Sequence, residues 1–184
     1  HGGGIDRITK NKENRYTVSS ILKEGIVRFI ILDRNDNIWY NVNGNIYWAS
    51  RQQWFNDPVI SANKISDNTE CVLGLNLKDE VWVGTRGNGV LRYGIKKGEV
   101  PSLLEPILID RSPNAEINNS ILSLYQDSNR DIWIGTINGL YLYTDSDNSF
   151  NIVKHDANDA NSLSINLISS LHVATDQTVW LGTS

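Results

Sequence analysis

Trp82-Val83-Gly84-Thr85, Trp133-Ile134-Gly135-Thr136 and Trp180-Leu181-Gly182-Thr183 are three copies of one tetrapeptide, and Trp39-Tyr40-Asn41-Val42 is a degenerate fourth. The four tryptophans lie 43, 51 and 47 residues apart, a period at which one repeat is one supersecondary unit stacked on its neighbours. The chain is therefore read first as a repeat array.

Working outward from Trp133, the third copy shows the grammar of the unit. Ile121 to Tyr125 reads as a first strand, Asp127-Ser128-Asn129-Arg130-Asp131 as a polar turn, and Ile132 to Thr136 as a second strand. Asn138-Gly139 is a hairpin signal, Leu140 to Tyr143 a third strand, and Phe150 to Val153 a fourth. Four short antiparallel strands without helical periodicity predict an all-β fold, a β-propeller segment of four repeats with four-stranded antiparallel blades. In the first copy the strands are expected at 25–32, 37–42, 45–49 and 58–61; in the second, at 71–77, 80–85, 89–93 and 103–109.

The fourth copy holds only two strands, 167–173 and 178–183. Its other half is at the opposite end of the sequence, where Gly2-Gly3-Gly4-Ile5-Asp6-Arg7-Ile8 aligns with Gly87-Asn88-Gly89-Val90-Leu91-Arg92-Tyr93, a third strand. The expected organisation is the last two strands of a split blade at 1–18, blades at 25–62, 68–109 and 117–155, and the first two strands of the split blade at 164–184. Unpaired strand edges invite pairing, so the expected assembly is a homodimer in which two chains exchange ends and complete each other's split blade. A closed four-bladed monomer and an open segment are the alternatives. With no methionine and no signal-peptide pattern at His1, the chain reads as a piece of a longer protein.

Composition removes several function classes. The net charge is −4, which lacks the broad cationic surface that phosphate contacts need, so no nucleic-acid partner is expected. No apolar run approaches the roughly 20 residues of a membrane helix, and no membrane contact by this segment is expected. The single cysteine, Cys71, rules out an internal disulfide and a cysteine zinc cluster.

The pattern Asp-x-Asn-x-x-Ile-Trp-x-Gly-Thr-x-x-Gly-Leu, from Asp127 to Leu140, resembles the two-component regulator propeller repeat. That resemblance implies the periplasmic sensor region of a hybrid two-component sensor histidine kinase, part of an inner-membrane protein, of the kind found in Bacteroides-type bacteria. It further implies a non-catalytic segment that senses an extracellular carbohydrate, or relays its presence to a histidine kinase. The alternatives are a propeller-fold glycosidase or lyase fragment and a pure protein-interaction scaffold.

The residues divide into a structural set and a candidate binding set. Trp39, Trp82, Trp133 and Trp180 are expected to fill the space between blades, because each indole buries a large apolar surface. Gly84, Gly135 and Gly182 would admit close approach within a strand, and Thr85, Thr136 and Thr183 would suit a pleated surface. Asp33 and Asp127 open stretches that look like calcium loops, but Ile38 and Ile132 stand where such a loop needs glycine, so a backbone-capping turn is expected and no metal. No catalytic motif is present, Asp156 and Asp159 read as turn residues, and no cofactor is expected. In a four-stranded antiparallel blade, the loops between strands two and three emerge on the same side as the connectors between blades. That side gathers His1, Asn43, Arg86, Asn88 and Asn138 with the connectors 63–70, 110–119 and 156–164, and an oligosaccharide ligand is expected there.

Overall fold

The computed structural model describes residues 3–56, 63–66, 71–77, 79–112, 115–144, 146 and 149–184. The chain forms two compact units, residues 1–69 and 70–184. Among the described residues the regular structure is antiparallel strand, with one six-residue helix.

The first unit contains a hairpin of β1 (Ile5–Lys10) and β2 (Tyr16–Leu22). A four-stranded sheet follows, built in sequence order from β3 (Ile30–Leu32), β4 (Ile38–Val42), β5 (Asn45–Ala49) and β6 (Asn63–Ser66). Ile5 of the hairpin packs with Ile38, Tyr40 and Ala49 of the sheet, while Trp39 is fully buried. Burial, followed by the neighbouring Tyr47, pushes the Tyr40 phenol up to about 12. Between β4 and β5, Asn43 and Gly44 both take positive φ, 49° and 83°, as a two-residue hairpin of type I′ demands.

This unit corrects two expectations. Residues 63–66, read as connector, are the fourth strand, whereas the expected strand at 58–61 lies outside the described residues. A helix, α1 (Arg51–Asn56), stands where none was expected. Its cause is local: the Ser50 amide donates to Gln53 Oε1 at 3.0 Å, and the Gln53 amide donates to Ser50 Oγ at 3.3 Å. That reciprocal pair is a capping box.

The second unit holds two four-stranded sheets and a hairpin. The first sheet is β7 (Cys71–Asn76), β8 (Glu80–Thr85), β9 (Val90–Gly94) and β10 (Ser102–Leu103); the second is β11 (Ile121–Gln126), β12 (Ile132–Thr136), β13 (Gly139–Thr144) and β14 (Ser149–Val153). The hairpin is β15 (Ile168–Val173) with β16 (Val179–Thr183). First strands are neighbours, β11 lying against both β7 and β15. Trp82, Val90, Ile121, Ile134 and Tyr143 fill the space between the two large sheets. β10 is shorter than the expected 103–109, because Pro101 and Pro106 cannot donate to a ladder; Ile107 still exchanges two 2.9 Å bonds with Val90.

One turn recurs before the tryptophan. In Asp33 to Asn37 and Asp127 to Asp131, one aspartate oxygen accepts two backbone amides of the turn, at 2.8–3.1 Å. The other oxygen accepts the indole N–H of Trp39 or Trp133 at 3.0 Å. Each carboxylate thus joins a turn to the tryptophan six residues on, the capping role expected of it.

In two places the repeat departs from expectation. Only Gly139 of the Asn138-Gly139 pair takes positive φ, 118°, because the two-residue loop is Ile137-Asn138 and Gly139 already pairs with Thr136. Trp180, expected in the core, is 67% exposed, and Thr183 is exposed too. Among the described residues of this unit, β15 and β16 form a two-stranded sheet, without a third strand beside that indole. Ala174 moreover stands where Asp33 and Asp127 stand in the other copies.

The contrast predicts mutational costs. Trp82→Ala should destabilise by about 3–5 kcal/mol, as deletion of a buried large aromatic does. Trp180→Ala should stay within about 0.5 kcal/mol, as surface changes do. Urea midpoints of the two variants check this, and equal midpoints would contradict the burial pattern.

Candidate functional site

The loop end of the second unit is assembled by the motif threonines. Thr85 Oγ1 donates to the Gly89 carbonyl at 2.8 Å and accepts the Asn88 amide at 3.1 Å. Thr136 Oγ1 repeats this with Gly139 and Asn138, each at 2.9 Å. Both threonines are fully buried. Their role is therefore to fix the two hairpins that carry Arg86, Asn88 and Asn138, beyond merely suiting a pleated surface.

Asn119 ties the connector to those hairpins. Its Oδ1 accepts the amides of Ile109 and Asp110 at 2.7 and 3.0 Å, and its Nδ2 donates to the Asp110 carbonyl at 2.7 Å. Its own carbonyl accepts the amides of Gly87 and Gly89 at 3.2 and 2.9 Å. Asn166 does the same one repeat later: Oδ1 accepts the His155 amide at 2.7 Å and the carbonyl accepts the Gly139 amide at 2.8 Å. Neither asparagine stands out by sequence reading. The available signal is that both lie two residues before an isoleucine that opens a first strand, with the same 47-residue spacing as Trp133 and Trp180.

Around this frame the expected binding residues fall into different situations. Arg86 and Asn88 are exposed and, with Gly87, Glu116, Ile117 and Ser120, line a depression of about 360 Å³. Asn138 is half-buried and tied down: Nδ2 donates to Asn118 Oδ1 at 2.8 Å, and Asn118 Nδ2 donates to Asp110 Oδ2 at 2.6 Å. Asn43, in the first unit, accepts the Ile26 amide at 2.8 Å and so closes its own unit's backbone. His1 lies outside the described residues.

The connectors at this end are folded on themselves. Asp156 and Asp159 accept the amides of Asn158 and Asn161, each at 2.9 Å. His155 Nδ1 lies 2.6 Å from the Leu163 carbonyl, which can only accept, so Nδ1 carries the proton. Among the described residues no group of three His, Cys, Asp or Glu is placed to hold a metal ion.

Residues 115–138 match the family model described as two component regulator propeller. The matched stretch is similar to one repeat of that family. The matched stretch covers Asn119, Asp127, Trp133, Gly135 and Thr136, which tie connector, turn, core and hairpin together. No curated protein matches the sequence. Among solved structures, the chain is similar to the extracellular domain of BT4673 from B. thetaiotaomicron, described in one crystal structure as a proposed one component system. There the TM-score is 0.69 and the identity 22%, over 99% of this chain and 24% of that one. The extracellular domain of the proposed hybrid two component system BT3049 from the same organism gives 0.66 and 22%, over 99% and 23%. The β-propeller domain of Cps50 (Swd1) from Myceliophteria thermophila gives 0.59 at 8% identity, over 98% and 62%. The fold is a β-propeller fold, and the chain spans about a quarter of the length of the two B. thetaiotaomicron domains.

Asp110 gives this end a pH signature. Hydrogen bonds from Ser112, then from Asn118, with Lys154 adding its charge, hold its carboxyl at about 2, below the ordinary 3.8. A carboxyl depressed in the folded state contributes stability that is complete above its unfolded value, near pH 4, and is lost as pH falls toward about 2. Asp110→Asn should therefore lower the thermal midpoint at pH 6, and the gap to the unmodified chain should close between about pH 4 and pH 2. A gap independent of pH would contradict this network.

Proposed function

We propose that this chain is a non-catalytic part of the extracellular sensor region of a hybrid two component system. The regulator propeller repeat at 115–138 carries the reading. It is supported by the likeness of 99% of the chain to the extracellular domain of one such proposed system, BT3049. Among the described residues no helix is long and apolar enough to cross a membrane. The likeness to extracellular domains supports placing the segment on the periplasmic side of an inner-membrane protein. A histidine kinase elsewhere in that protein would receive the signal.

The ligand proposed is an oligosaccharide held by the loop end of the second unit, through Arg86 and Asn88. The carboxylates favour binding over turnover: Asp33 and Asp127 hold indoles, and Asp156 and Asp159 cap their own turns. None of these is paired across a cleft in the manner glycoside hydrolysis requires.

Two measurements test this reading. Deleting the gene should abolish the transcriptional response of the cells to one polysaccharide while leaving growth on glucose unchanged. The purified chain, titrated with oligosaccharide digests of that polysaccharide, should bind them unaltered, with affinity about tenfold lower in Arg86→Ala, a loss of about 1.4 kcal/mol. Steady release of shorter sugars by the purified chain would sink the sensor reading.

A further inference from the structure

Two hairpins carry complementary halves of one repeat. β16 has the sequence of a second strand, Val179-Trp180-Leu181-Gly182-Thr183, and among the described residues it pairs with β15 alone. β1 has the character of a third strand, and among the same residues it pairs with β2 alone. A close approach marks it as such. A Cβ added at Gly4 would strike the Leu22 carbonyl, as one at Gly89 would strike the Ile107 carbonyl and one at Gly139 the Val153 carbonyl. Each of these glycines stands where a third strand begins, pressed against the segment that follows it in the sheet.

In the complete sheets of the second unit, second and third strands meet in one register. Gly84 and Gly135 face Val90 and Leu140, Trp82 and Trp133 face Arg92 and Leu142, and Val81 and Ile132 face Tyr93 and Tyr143. The same register sets Thr183 against Gly4, Gly182 against Ile5, Trp180 against Arg7 and Val179 against Ile8. Every position finds a matching residue. Thr183 Oγ1 would meet the Gly4 carbonyl, as Thr85 and Thr136 meet those of Gly89 and Gly139. Ile8 is 64% exposed at the place that Tyr93 and Tyr143 hold fully buried. The exposed Trp180 would gain Arg7, as Trp82 has the Arg92 guanidinium 5.2 Å from its ring. Arg7 Nε is buried in its hairpin without a hydrogen-bond partner. One copy thus leaves both edges open, and an open edge with exposed apolar side chains is a template for another chain.

We propose that two copies of this chain associate by pairing β16 of each with β1 of the other. The pairing is reciprocal, as a two-fold symmetric dimer requires, and it needs no ligand. Light scattering on the whole chain at tens of micromolar should give twice 20.7 kDa. Ile8→Lys charges an exposed edge position and should return the mass to 20.7 kDa with the far-UV circular dichroism unchanged. Leu103→Lys, equally exposed but on β10, should leave the dimer intact. Adding Val179→Glu to Ile8→Lys should recover dimer, because opposite charges facing each other across a ladder attract. Trp180→Ala, nearly neutral in the separated chain, should weaken association by about tenfold, or about 1.4 kcal/mol. A mass of 20.7 kDa for the unmodified chain would overturn the proposal, as closure of each chain on itself would give. A dimer that survives Ile8→Lys, or one that Val179→Glu does not recover, would overturn it by showing a different interface.

Discussion

Packing in the second unit depends on the absence of a side chain two residues after the tryptophan. A Cβ on Gly84 would lie 2.9 Å from Ile121 Cγ2, and one on Gly135 would lie 2.8 Å from the Ile168 carbonyl. Carbon atoms do not approach so closely, and interiors this dense relax only by straining their neighbours. The glycine therefore sets how near the first strand of the next sheet can come. Ile121 and Ile168 then become fully buried, and the tryptophan reaches across the gap. From that spacing follows the loop end, where Asn119 and Asn166 can span from one sheet's last strand to the next sheet's first only because the sheets are close.

Once the spacing is set, the same small devices recur and their exceptions become informative. Asp33 and Asp127 join turn to indole, and Glu80 replaces them after a shorter turn with a different route to the same N–H. At Ala174 no replacement is made, and Trp180 is the exposed tryptophan of the four. Where a repeat keeps the bond by other means, the core is being maintained. Where it adds a charge, as at Arg92, the cation is held by Glu80 and by the Trp82 ring.

Much of this was legible in the sequence, for physical reasons that differ by element. The strands beside Trp82 and Trp133 follow from alternation bounded by turn residues, and they stand within a residue or two of their expected places. The aspartate turns were readable because their chemistry is local. Helix α1 was readable too, through Ser50 and Gln53, but a strand-period reading passes over a capping box. Trp180 could not be placed by its motif, since burial depends on what packs against a residue and the tetrapeptide is silent on that. Asn119 and Asn166 escaped because an asparagine in a polar connector looks like any turn residue until the two amides it holds are seen. The loop end was foreseen as a face, through hairpin geometry; that Asn138 is bound to Asn118 while Arg86 stays exposed was not, because side-chain partners across a connector have no sequence period.

The central claim is that glycine sets the sheet spacing, and comparing two alanine substitutions tests it most directly. Both substitutions meet a serine hydroxyl of their own sheet, Ser123 for Gly135→Ala and Ser170 for Gly182→Ala, but only Gly135→Ala also places its methyl against the Ile168 backbone of the neighbouring sheet. Chemical denaturation should show Gly135→Ala destabilised by about 1–3 kcal/mol, the usual cost of overpacking, and Gly182→Ala by clearly less. Equal losses in the two variants, or a stabilised Gly135→Ala, would contradict the account.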